Sequence, residues 1–75
     1  MTVRAVWIAR ARRLASSAEG RELRTRAGLS LADVAAVADV TPAAVHAWEN
    51  ARYLPRGEHA VRYARLLWVL RGEMP

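Results

Sequence analysis

The chain has no cysteine and no lysine, only three prolines and four glycines, and no apolar run approaching the ~18 residues that a membrane span needs. Without cysteine there is no disulfide framework, no thiolate zinc site and no thiol nucleophile. The two histidines, His46 and His59, stand alone in the sequence and do not build a metal site by themselves. Glu49, Asp33 and the histidines are not spaced to converge on a pocket, and 75 residues leave little room for a deep cleft. No catalytic residue, no metal and no cofactor is therefore expected. The opening MTVRAVWIARARRLASS is basic and amphipathic like a targeting segment, but it lacks an uninterrupted apolar stretch. It reads as a helix of the mature fold, in a cytoplasmic protein.

What is present is arginine. All twelve basic residues are Arg, against seven acids, for a net charge of +5. Such an excess favours a polyanionic partner, although GC-rich coding also supplies Arg and Ala, so composition alone does not decide it.

The few helix breakers cut the chain into five helices with no strand needed, an all-α architecture in a single domain over residues 1–75. An extra N-terminal helix occupies 1–15, with Val3, Val6, Trp7, Ala11 and Leu14 on its apolar face. Ser16 with Glu19 three residues later has the pattern of a capping box for the second helix, which runs to Ala27. Gly28 suits a left-handed C-terminal position, and Ser30 caps the third helix. Residues 30–50 then form two short helices around a turn at Asp39, the second opened by Thr41 and Pro42, the strongest helix-start signal in the chain. The last helix spans 57–71, with Ala60, Val61, Ala64, Leu67 and Trp68 facing inward. Trp7, Trp48 and Trp68 all fall on apolar stripes and read as core rather than as stacking platforms for bases.

A helix, a tight turn and a second helix that exposes small residues, one His and one Asn is an arrangement that can lay a helix in the DNA major groove. The run GLSLADVAAVADVTPAAVHAWENARYLP resembles the helix-turn-helix of the Cro and lambda-repressor-like family. The family's close-contact Ala, its turn residue with a following hydrophobic, and its buried aliphatic correspond to Ala35, Asp39, Val40 and Val45. Trp48 is the second buried residue of the recognition helix, and Trp48-Glu49-Asn50 followed by Pro55 is similar to the family's ending. The resemblance covers residues 21 to about 70 and implies a sequence-specific regulator of transcription that binds double-stranded DNA and occludes promoters, of phage or bacterial Cro/repressor type. It also implies that Arg24 pairs with Glu49 as a structural salt bridge. The chain departs from the family at Asp39 and Ala51, where Gly is usual, and at Leu31, where many relatives carry a phosphate-binding Gln.

With Val45 and Trp48 turned inward, the wheel of the recognition helix turns Pro42, Ala43, His46, Ala47 and Asn50 outward, with Thr41 at the leading end. His46 can donate to guanine, or it is a solvated imidazole; Asn50 can pair with adenine or bond a phosphate, or it caps the helix; the alanines can touch thymine methyls. Arg52 and Arg56, in the loop that the resemblance assigns to backbone and minor-groove contacts, are the candidates for phosphate. Arg21 and Ser30 are further phosphate candidates. Leu66, Val69 and Leu70 form a second apolar side of the last helix, to be covered in part by the N-terminal helix of the same chain or by an identical surface of a second chain in a homodimer. A protein-interaction module using Leu66 and Leu70, or an antitoxin- or excisionase-like architectural protein, is the alternative on the same fold.

Overall fold

A computed structural model describes residues 2–73. Among these residues the chain is all-α, with five helices and no strand: α1 (Val3–Ala15), α2 (Glu19–Arg26), α3 (Leu31–Ala38), α4 (Pro42–Glu49) and α5 (Gly57–Glu73). Hydroxyl side chains start three of them. Thr2 Oγ1 accepts from the Ala5 N–H and Thr41 Oγ1 from the Ala44 N–H, while Ser30 and Asp33 form a reciprocal capping box at α3. Each such bond satisfies a backbone donor that a helix leaves open at its start.

The expected box at Ser16 and Glu19 does not form. Ser16 instead closes α1, its hydroxyl donating to the Arg12 carbonyl at 2.8 Å, and α2 begins behind Ala18 with no side-chain cap. The link from α1 to α2 is so short that Ser16 still lies in the last turn of α1, where free carbonyls claim its hydroxyl.

α2, α3 and α4 end alike. Gly28, Asp39 and Ala51 all take positive φ, and the N–H of the following residue reaches back to a carbonyl five residues earlier: Leu29 to Arg24, Val40 to Ala35, Arg52 to Ala47. This Schellman geometry reverses the chain within a few residues and sets α4 across α3. At Ala51 the conformation costs about 1 kcal/mol relative to glycine.

Small residues let the helices meet closely. Val34, Ala35 and Ala38 of α3, Val45 and Trp48 of α4, and Ala11 and Ala15 of α1 form the core with Ala60, Tyr63, Ala64, Leu67 and Leu70 of α5. Two expectations for α5 are corrected here. Trp68 is half exposed, and Leu70 belongs to the core. The buried stripe runs through 60, 63, 64, 67 and 70, which places Trp68 about a quarter turn off it. Trp68 meets Trp7 edge-on, with ring centroids 6.1 Å apart, and the Arg10 guanidinium lies 4.6 Å from its ring. Val3 is likewise in solvent, because the packed stripe of α1 begins only at Val6 and Trp7.

Tyr63 packs against Trp48 and is buried to its hydroxyl, which has no hydrogen-bond partner among the protein groups. Burial, reinforced by the nearby Glu49 charge, raises its pKa well above the usual phenol range. Gly20 fits beneath it: a Cβ there would lie 2.6 Å from the tyrosine oxygen. Gly20 is thus required by a neighbour on α5 and not by its own backbone.

Candidate nucleic-acid interface

Val45 and Trp48 are buried, which turns the opposite side of α4 to solvent. Pro42, Ala43, His46 and Asn50 form an exposed row on that side, with Thr41 at its N-terminal end. The row bears no charged side chain, and its smallness lets a second macromolecule approach the helix backbone.

Ala47, expected in that row, is buried. The chain turns back at Ala51 so that the Arg52 N–H bonds the Ala47 carbonyl at 2.9 Å, bringing the loop against this side of the helix. Ala47 is therefore withdrawn from the outward row.

Asn50 is exposed but already engaged, its Nδ2 donating to the His46 carbonyl at 2.8 Å. It caps the helix, and to pair with a base it must exchange that bond for a new one. Thr41 has a similar double position, since its oxygen holds the Ala44 N–H while the residue stays in solvent.

α4 is fixed from behind by one ion pair. Arg24 of α2 donates Nε and Nη2 to the Glu49 carboxylate at 2.6 and 3.0 Å, and Nη1 to the Leu29 carbonyl at 3.0 Å. The two side chains are only 13% and 4% exposed. The hydrogen bonds and charge of Glu49 outweigh desolvation and raise the Arg24 pKa, so the guanidinium remains charged in place. The family resemblance implies this pair, and the fold brings Arg24 and Glu49 together.

The loop between α4 and α5 keeps Arg52 and Arg56 exposed on either side of Tyr53 and Leu54, which are also largely in solvent, while Pro55 is buried as the anchor. Arg21 is exposed on α2. At the start of α3 the Ser30 N–H and hydroxyl are both engaged with Asp33, whose carboxylate occupies the site where an incoming phosphate would sit. The Ser30 N–H, which donates to that carboxylate at 2.8 Å, lowers the Asp33 pKa with help from the adjacent Ser30 side chain, keeping it anionic. Leu31 packs against the core and supplies no polar contact.

Two charged contacts, Arg4–Glu58 and Arg71–Glu19, were invisible in the sequence. Arg4 of α1 bonds Glu58 of α5 at 2.6 Å across a separation of 54 residues, and no local pattern signals it. Two exposed helix faces met only when the chain folded.

A family model described as helix-turn-helix matches residues 21–68. No curated protein and no solved structure matches the chain.

Proposed function

This chain belongs to the Cro/lambda-repressor-like helix-turn-helix family, and we propose that it is a sequence-specific regulator of transcription that lays α4 in the major groove of duplex DNA. The observation that carries this reading is the two-sided α4. Its apolar side is locked by Val45, Trp48 and the Arg24–Glu49 pair, and its other side is a bare row of Thr41, Pro42, Ala43, His46 and Asn50.

In this reading His46 and Asn50 face base edges, Ala43 meets a thymine methyl, and Arg52 and Arg56 neutralise phosphates on the flank, with Arg21 as an outer contact. So few base-reading groups leave DNA shape to supply much of the discrimination. The protein acts as a Cro- or repressor-type factor in a bacterial cell, of host or phage origin, blocking promoters by occupancy. Each such site is read by one chain or by two.

A homodimer formed through α5 has Leu66 and Val69 to use, with Val37 of α3 beside them; Leu70 is committed to the core. Arg62 and Arg65 edge that patch, so a two-fold copy sets like charges against each other. Pairing there strengthens as salt rises, whereas duplex binding weakens.

The test is fluorescence anisotropy on duplex DNA across a salt series. The logarithm of affinity falls with the logarithm of salt by about 0.9 for each phosphate neutralised. Arg52→Ala and Arg56→Ala lower affinity on all sequences alike, while His46→Ala and Asn50→Ala each cost about 1–3 kcal/mol at particular base pairs of a selected site. Affinity without salt dependence would favour a protein-interaction module instead.

A further inference from the structure

The matched segment begins at residue 21, so α1 stands outside it, and α1 carries Arg4 to the start of α5. Glu58, the partner of Arg4, lies in the first turn of α5, two residues beyond Arg56. Its second oxygen is 4.0 Å from Arg62. One carboxylate is therefore ringed by Arg4 and Arg62, beside a loop that already offers Arg52 and Arg56.

We propose that Arg4 is a backbone-phosphate contact which extends the duplex footprint beyond the helix-turn-helix, and that Glu58 holds it in place as an internal competitor for that phosphate. The inference rests on the duplex-binding reading above. Arg4 and Glu58 are each 54% exposed, so their bond is open to water and to exchange. An exposed pair of this kind contributes little to stability, and the closely spaced phosphates of a duplex, each singly charged, together attract Arg4 more strongly than one carboxylate does. Until a duplex arrives, Glu58 keeps the long Arg4 side chain ordered at the correct end of α5 and moderates the affinity of the site. Arg4 becomes a fourth cation at this end of the molecule when the duplex takes over.

The molecule contains its own control. Arg71 and Glu19 form a second surface pair, at 3.5 Å and with similar exposure, near the other end of α5. At 1.5 Å per residue, the positions of Glu58 and Arg71 lie about 20 Å apart along the helix, beyond a Debye length at 0.1 M salt.

The experiment compares Arg4→Gln with Arg71→Gln and Glu58→Gln with Glu19→Gln, using anisotropy on a labelled 20-base-pair duplex of mixed sequence (a probe length of about two turns) over a salt series. Thermal unfolding is followed in parallel. The expected result is that Arg4→Gln weakens binding by roughly fivefold at about 0.1 M salt, the worth of one charge pair at about 4 Å in water, and lowers the salt slope by about 0.9. Glu58→Gln tightens binding by a similar factor, and the two variants of the control pair change neither quantity. Equal effects from both pairs would mean that only net charge is being read, and would overturn the proposal. So would an Arg4→Gln variant that melts earlier but binds with an unchanged slope, the mark of a structural pair. If Arg52→Ala and Arg56→Ala lower the slope while Arg4→Gln does not, this inference alone fails; if the wild-type chain shows no salt-dependent duplex binding, the reading beneath it fails.

Discussion

The α3–α4 unit and the α1–α5 flank share small apolar residues at their contacts, but only the flank bears arginines, and the two are held together in opposite ways. Between α2, α3 and α4 the helices are eight residues long, each ended by a left-handed turn, and a buried ion pair ties the first to the last. On the flank two long helices meet along alanines, with a half-exposed tryptophan at the seam and an ion pair in solvent. The first unit has one geometry available to it and is suited to presenting a fixed surface. The second has charges that can be exchanged and is suited to adjusting how strongly that surface is held to a partner.

The comparison breaks most visibly at Val45. Val45→Asp buries a carboxylate with no partner in the centre of the unit, and abolishes the cooperative unfolding transition seen by circular dichroism. A folded Val45→Asp protein would mean that α4 faces the other way.

Next comes the ion pair. Glu49→Ala leaves Arg24 charged and buried, and costs about 3–5 kcal/mol by urea denaturation, a large part of the stability of a domain this size. Replacing both partners, Arg24→Met with Glu49→Leu, loses far less, because no stranded charge remains.

Gly20 and Tyr63 sharpen the contrast, since they join α2 to α5 at the border of the two regions. Gly20→Ala drives a methyl against the tyrosine oxygen and costs about 1–3 kcal/mol. Tyr63→Phe removes the unpartnered hydroxyl and gains about 1 kcal/mol. Combined, the two changes cost less than their sum, because the phenylalanine gives up the atom that the new methyl strikes. Additive effects would place the strain elsewhere.

The smallest effect belongs to the flank. Trp68→Ala loses an edge contact with Trp7 and a stacked arginine, about 0.5–1.5 kcal/mol in thermal unfolding, and leaves duplex affinity unchanged. A loss as large as that of Glu49→Ala would erase the distinction drawn between the regions.

The same division governs what could be read in advance. The helix-turn-helix was legible because its determinants are local. Thr41 and Pro42 can only begin a helix, Ser30 and Asp33 bond each other at a spacing of three, and Gly28, Asp39 and Ala51 fall where a helix must end. The outward row of α4 followed from a single wheel, apart from Ala47, which is buried where the chain turns back through a hydrogen bond to its carbonyl that no periodicity contains. On α5 the wheel was ambiguous: Trp68 and Leu70 are both apolar, and only the tertiary packing decides that Leu70 is covered and Trp68 is left at the edge. Ser16 failed as a cap for a related reason, since the end of one helix and the start of the next compete for the same hydroxyl. Arg4 with Glu58, and Gly20 with Tyr63, depend wholly on tertiary placement.

The central claim is that the exposed side of α4 meets the duplex. It is tested most directly by titrating isotopically labelled protein with duplex DNA and following each backbone amide by nuclear magnetic resonance. The account predicts that the largest shifts fall on Thr41 to Asn50 and on the loop from Arg52 to Arg56, fading with added salt. Shifts confined to the Trp7 and Trp68 indoles and the outer face of α5, with α4 silent, would contradict it.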